Sequence, residues 1–318
     1  MHRITRRDFV SAGLVLPALL AAKTRAAGKA DITVGITVDT RPDWNGAENF
    51  MRSIDEASAV GYRHIETFWN YVERWERNPQ GLKDELDKRS LRLETVSNGG
   101  RMRMNFIDPR ERAGTIEDHV KLLRFIRWFE CDHVKINCGR RPADIDQRRA
   151  EYCREMAVAF NELGKRTTDL GMKFGIHAHL GSPFQVKEEV DRVMDLTNPG
   201  HVYFVCDTGH VTMGGMDPVQ VTRTYHPRII EYHIKDTAPE HKGGFKGTLT
   251  EPYNTRVDNR IFFELGKGGV DFPAIKAALD DHSWKGWWTV ELDRTGTTAK
   301  ESCTISKKYL EDVIKLKV

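Results

Sequence analysis

Four residues of metal-ligand type stand where short apolar runs end. Phe174-Gly-Ile-His177 and Ile229-Ile-Glu-Tyr-His233 close on imidazoles, while Val202-Tyr-Phe-Val-Cys-Asp207 and Trp287-Trp-Thr-Val-Glu291 close on carboxylates. Their β-branched and aromatic content marks these runs as buried strands. A carboxylate or imidazole at such a strand end has to be paired or held by a metal. A single strand-end histidine more often makes a structural bond, but ligand types on four strands point to a metal. His177, Asp207, His233 and Glu291 offer two nitrogens and two oxygens, a set that suits Mn, Zn, Fe, Co or Ni better than Ca. His179 lies two residues beyond His177, on the same side of the strand. Either is a candidate ligand, which leaves the other for proton transfer. Lys235 is suited to bind a substrate oxygen or a developing oxyanion. His210 is a candidate support for a ligand or a contact to substrate. Glu66, Lys135 and Asn137 end two further strand-like runs and are candidates to touch substrate hydroxyls, with a surface ion pair as the alternative. Trp69 is a candidate stacking platform, whereas Trp284, Trp287 and Trp288 fit packing.

The elements that must position these groups alternate regularly. Strand-like runs at 32–38, 62–68, 91–97, 133–137, 174–177, 202–207, 229–233 and 287–291 are separated by helical patterns. Those patterns fall at 47–60, 71–88, 116–129, 144–170, 183–196, 218–225, 272–279 and 303–316. Eight strand–helix alternations imply parallel pairing with helical crossovers and predict an α/β fold, a (β/α)8 TIM barrel forming one domain over residues 28–318. No G-x-G-x-x-G follows the first strand, so a dinucleotide fold finds no support. In such barrels the active site lies at the strand C-termini, where every residue singled out above falls. A polar insertion at 237–260 has the length of a lid or binding loop.

Residues 1–27 do not read as part of that fold. Thr5-Arg-Arg-Asp-Phe-Val10, an apolar run to Ala22 and the small residues Ala26 and Ala27 match a twin-arginine export signal, and predict a periplasmic or exported protein. The apolar run is too short for a membrane span of about 20 residues, so stable membrane insertion is not expected. Whole-chain charge is +3; residues 1–27 contribute a net +4, which leaves −1 for the remainder. That balance speaks against a nucleic-acid partner. Five scattered cysteines without C-x-x-C suggest neither a disulfide framework nor a zinc ribbon.

The motifs Asp207-Thr-Gly-His210, His233-Ile-Lys-Asp236, Leu265-Gly-Lys-Gly268 with Val270-Asp-Phe272, and Val290-Glu291 resemble those of the xylose-isomerase-like barrel superfamily, the sugar phosphate isomerase/epimerase group that includes inosose dehydratase. The resemblance covers about residues 32–316. It implies one divalent metal, manganese favoured, on position 177, Asp207, His233 and Glu291. It also implies a small carbohydrate substrate, a keto-sugar or cyclitol. A proton α to the carbonyl is removed to give an enediolate stabilised by the metal and Lys235, with Glu291 as base and His179 as acid. Reprotonation is isomerisation or epimerisation; loss of a β-leaving group is lyase or dehydratase chemistry. Many relatives carry Glu in strand five, whereas this chain has His177-Ala-His179, which leaves the reaction branch open. A non-catalytic sugar-binding barrel is the alternative from another class. An oligomer is compatible with all of this.

Overall fold

The computed structural model describes residues 28–247 and 260–318, so the expected export signal lies outside the described residues. The chain opens with β1 (Asp31–Thr37), α1 (Phe50–Val60), β2 (His64–Phe68), α2 (Trp69–Val72), α3 (Pro79–Asp87) and β3 (Arg92–Ser97). It continues through α4 (Arg112–Trp128), β4 (His133–Asn137), α5 (Ile145–Asp169), β5 (Lys173–His177), α6 (Lys187–Leu196) and β6 (Val202–Asp207). Then follow α7 (Thr208–Met213), α8 (Pro218–Tyr225), β7 (Ile229–Ile234), a two-rung pair β8 (Asp236–Thr237) and β9 (Phe262–Phe263), α9 (Phe272–Asp280), β10 (Lys285–Val290) and α10 (Ala299–Tyr309).

Eight strands form one parallel sheet in the order β3-β2-β1-β10-β7-β6-β5-β4. Parallel neighbours require crossovers, and the helices supply them. This is the (β/α)8 barrel expected. The ring closes between β3 and β4 through side chains. Thr95 Oγ1 donates to His133 O at 2.9 Å, Asn98 Nδ2 to Asn137 O at 3.0 Å, and Asn137 N to Asn98 Oδ1 at 2.7 Å.

Strand alternation splits the interior into two populations. Ile36, Ile65, Val134, Ile176, Phe204, Tyr232, Trp288 and Val290 join the apolar core. The alternate positions Glu66, Glu94, His133, Lys135, Glu231, His233 and Thr289 are also completely or almost completely buried. These charged groups neutralise one another. Lys135 Nζ lies 2.7 Å from Glu66 Oε1, and His133 Nε2 lies 2.9 Å from Glu231 Oε2. Gly35 makes room for Glu94, since a Cβ there would stand 1.8 Å from Glu94 Oε2.

Several elements differ from the sequence expectation. The helix expected at 71–88 breaks, because Asn78 Oδ1 caps a new helix through Gly81 N and Pro79 starts it. The helix expected from 183 begins at Lys187, where Glu189 Oε2 accepts from Gln185 N and Val186 N at 2.9 and 3.1 Å. The short helix α7 was not anticipated; Asp207 Oδ1 caps it by accepting His210 N at 2.8 Å. The closing helix starts earlier, at Ala299, and finishes as a π-turn at Leu310–Ile314. The insertion is zipped at its base by Asp236↔Phe263 and Thr237↔Phe262. All five cysteines are buried free thiols. Among the described residues no helix is long and apolar enough to cross a membrane.

Candidate metal centre and cleft

β5, β6, β7 and the loop after β10 bring His177, Asp207, His233 and Glu291 together. One ligand atom from each lies within 4.8 Å of the other three. All four are buried, Glu291 being the most exposed at 5 %. His177 Nδ1 lies 2.9 Å from Asn137 Oδ1, an acceptor, so this nitrogen carries the proton and Nε2 carries the lone pair. That Nε2 has no hydrogen-bond partner and stands 3.4 Å from Asp207 Oδ2, which also meets the Lys235 ammonium at 3.2 Å. Two sheltered acceptors facing each other are unfavourable unless a cation serves both. His233 Nε2 faces Glu66 Oε2 at 2.6 Å and Glu231 Oε1 at 3.1 Å, while Nδ1 points to Glu291 Oε2 at 2.8 Å. Burial opposes charge on this ring, but Glu66 and Glu291 outweigh it and draw positive charge to the imidazole. The same pull favours a divalent cation at Nδ1. The donor set therefore fits a divalent metal.

Asp207 divides its carboxylate between two tasks, Oδ1 capping α7 and Oδ2 facing the donor set. Burial raises its carboxyl to about 7 against the opposing pull of Lys235. The remainder of Asp207-Thr-Gly-His210 organises Lys235. Thr208 Oγ1 donates to Lys235 O at 2.7 Å and accepts from Lys235 N at 2.9 Å. Gly209 leaves space for the lysine stem, because a Cβ there would stand 2.8 Å from Lys235 Cγ. Lys235 Nζ reaches Glu291 Oε2 at 2.8 Å, Asp207 Oδ2 at 3.2 Å, Asp293 Oδ2 at 3.2 Å and His210 Nε2 at 3.1 Å. Burial lowers the lysine's proton affinity, but Asp207, Asp293 and Glu291 raise it further, so the side chain stays cationic. Asp236 holds the Leu265–Val270 loop: its carboxylate accepts from Gly266 N, Gly268 N and Val270 N, each at 3.0 Å.

A cleft of about 360 Å³ opens beside these groups, lined in part by Asp39, Phe68, Tyr71, His179, Phe262 and Asp293. A larger hollow of about 880 Å³ lies at the opposite end of the barrel, near Trp287 and Glu94, away from the donor set. His179 rests against His210 with ring centroids 3.7 Å apart. Its Nδ1 lies 2.5 Å from Leu180 O, so the neutral ring has its proton there and offers a lone pair at Nε2. In this tautomer its Nε2 is an acceptor, whereas the sequence suggested an acid. Burial and the neighbouring Lys235 ammonium keep it neutral. His210 is likewise held neutral, first by burial and then by His179 and Lys235.

The residues expected to touch substrate are placed differently. Glu66 and Lys135 lie wholly inside the barrel, paired with each other beneath His233. Asn137 orients His177. Trp69 turns away from the cleft and packs edge-on against Phe125 at 5.2 Å; its neighbour Phe68 lines the cleft instead. Glu66 and Lys135 do point inward but lie two residues before the strand ends at Phe68 and Asn137, whereas Trp69 is already the first residue of α2. Glu231, Asp39 and Asp293 were not singled out. The spacing Glu231, His233, Lys235 places all three on one face, a signal available for the first of them.

Fold and donor set together define a (β/α)8 barrel with a buried two-nitrogen, two-oxygen centre at its strand C-termini. The family model described as xylose isomerase-like TIM barrel matches residues 54–309, and the chain belongs to that family. Its relatives include an inosose dehydratase of Lacticaseibacillus casei, 26% identical over 295 residues, which cover 87% of this chain and 94% of that protein. An inosose dehydratase of Clostridium tetani is 25% identical over 288 residues, 87% of this chain and 93% of that protein. Among solved structures, the IOLI protein with a binding zinc atom aligns with a TM-score of 0.69 at 18% identity, covering 89% of this chain and 98% of that one. A D-allulose 3-epimerase from Methylomonas sp. in complex with D-allulose aligns with a TM-score of 0.65 at 17% identity, covering 88% and 96%.

Proposed function

We propose that the protein is a metal-using lyase that removes water from a keto-sugar or keto-cyclitol such as an inosose. The observation that carries this reading is the buried pair His177 Nε2 and Asp207 Oδ2, two acceptors 3.4 Å apart, of which Nε2 has no hydrogen-bond partner and Oδ2 meets the Lys235 ammonium at 3.2 Å. When bound, a divalent ion supplies Lewis-acid polarisation of a carbonyl. His177, Asp207, His233 and Glu291 would hold it, with manganese or zinc as the first ions to try. Lys235 presents a fixed positive charge to the oxygen on which negative charge develops. Glu291 and the Nε2 lone pair of His179 are the two acceptors available for the proton α to the carbonyl. The names of the relatives favour water loss over epimerisation on this scaffold.

The test uses the full chain loaded with manganese or zinc and incubated with inosose in deuterated water. The α-proton is expected to exchange and a dehydrated product to accumulate, both falling by at least about 100-fold in Glu291→Gln. Exchange without water loss would make the enzyme an isomerase or epimerase. No exchange across a panel of keto-sugars and inososes, with sugar binding retained, would leave a binding barrel and refute the proposal.

A further inference from the structure

Asp39 stands two residues beyond β1, and the strand order puts β1 across the barrel from β5 and His177. Its Oδ2 accepts from Thr67 Oγ1 at 2.6 Å and from Phe68 N at 2.9 Å. Two donors on one oxygen fix the carboxyl. The other oxygen, Oδ1, has no hydrogen-bond partner, although the residue is only 2 % exposed and lines the cleft. A sheltered polar atom left unpaired costs roughly 1–3 kcal/mol. A substrate hydroxyl in the cleft would remove that cost.

Several polar groups in or beside the cleft are poor proton donors, and the Tyr71 hydroxyl donates to Asn45 Oδ1 at 3.3 Å. Lys235 is tied to three carboxylates. The N–H of His179 is directed to Leu180 O, and that of His177 to Asn137 Oδ1. Asp293 is ion-paired with Lys235.

We propose that Asp39 is a further catalytic residue, the acid that gives its Oδ1 proton to the departing hydroxyl. The inference rests on the dehydratase reading above. The α C–H bond breaks toward the base, and its electron pair forms the C=C bond. The β C–O bond breaks, the Asp39 proton joins that oxygen, and water leaves. Asp39 is then a carboxylate and the base is protonated. Exchange with solvent restores both, so the net change is loss of one water. Burial supports the assignment: it raises the Asp39 carboxyl to about 7, against the bonds from Thr67 and Phe68. Glu66 on β2 raises it further and Lys135 on β4 opposes. Tyr71 on α2, with His179, His210, Asp293 and Arg294, faces it across the cleft.

The experiment follows inosose dehydration and α-proton exchange by the manganese-loaded full chain as a function of pH. Wild type is expected to lose dehydration, but not exchange, as pH rises through about 7. Asp39→Asn, which keeps the Thr67 and Phe68 bonds, is expected to exchange within about 3-fold of wild type and to dehydrate at least about 100-fold more slowly. A β-fluoro analogue, whose leaving group needs no proton, is expected to shrink that deficit below about tenfold. Dehydration by Asp39→Asn at the wild-type rate would overturn the proposal. So would equal losses of exchange and dehydration, a deficit undiminished with fluoride, or a wild type without the alkaline limb. If wild type neither exchanges nor dehydrates any keto-sugar, the reading of the site fails first and takes this proposal with it.

Discussion

His177 can present Nε2 as a donor atom because Asn137 holds the proton on Nδ1. Oriented imidazoles bind metals more tightly because neither ring rotation nor tautomer choice has to be settled on binding. In Asn137→Leu the Nδ1 proton loses its acceptor, and affinity for zinc or manganese is expected to fall by about 10–100-fold. Titration of chelator-treated protein reads this directly; unchanged affinity would remove Asn137 from the role. The four candidate donors could be picked out in the sequence because each stands at the end of an apolar, strand-like run. Asn137 was visible as a strand-end polar group, but its partner was not, since the pairing crosses from β4 to β5. Asp39 was invisible for a different reason: it lies past the strand in a loop, where an aspartate is ordinarily a turn former.

At the scale of elements, Asp207-Thr-Gly-His210 is a joint between β6, α7 and the end of β7. Each residue makes a different contact there, and the sequence suggested only Asp207 as a candidate ligand and His210 as a candidate support. α7 was missed because a six-residue helix leaves too little periodicity to detect. Its glycine carries a testable consequence. Ala at 209 has no backbone objection, but its Cβ would meet Lys235 Cγ and Cδ at 2.8 and 2.9 Å. Gly209→Ala is therefore expected to displace the ammonium and reduce turnover by about 100-fold, as misplacements near 1 Å do. The fold should persist, and thermal unfolding checks that. Turnover near the wild-type level would mean that the position of Lys235 is not critical.

Across the whole molecule, the barrel interior is charged where branched apolar residues ordinarily fill such barrels. Patterning made the barrel legible, but the mutual neutralisation inside it depends on long-range pairs that no local window reveals. His133 is the most telling. Burial lowers its proton affinity, but Asp132 and Glu231 raise it to about 10, well above the ordinary 6.5. A raised value in the folded state means that the contribution is complete below pH 6.5 and disappears as pH climbs through about 10. His133→Gln is expected to lower unfolding free energy near pH 7 by roughly 3–5 kcal/mol, since it leaves Glu231 short of a buried partner. The gap between wild type and variant should narrow toward pH 10. Denaturant titrations at several pH values measure it; a gap independent of pH would show that His133 contributes by shape alone.

The two-rung ladder of β8 and β9 has a further consequence, for descent. It fastens both ends of the excursion between Thr237 and Phe262, and Phe262 packs on His210 with ring centroids 4.9 Å apart. Within the excursion Phe245 and Ile261 pack on a cluster that includes Leu180 beside His179, Met213 in α7 and Leu292 beside Glu291. A lineage that alters the excursion therefore has to keep these apolar contacts if the chemistry beneath it is to be inherited intact.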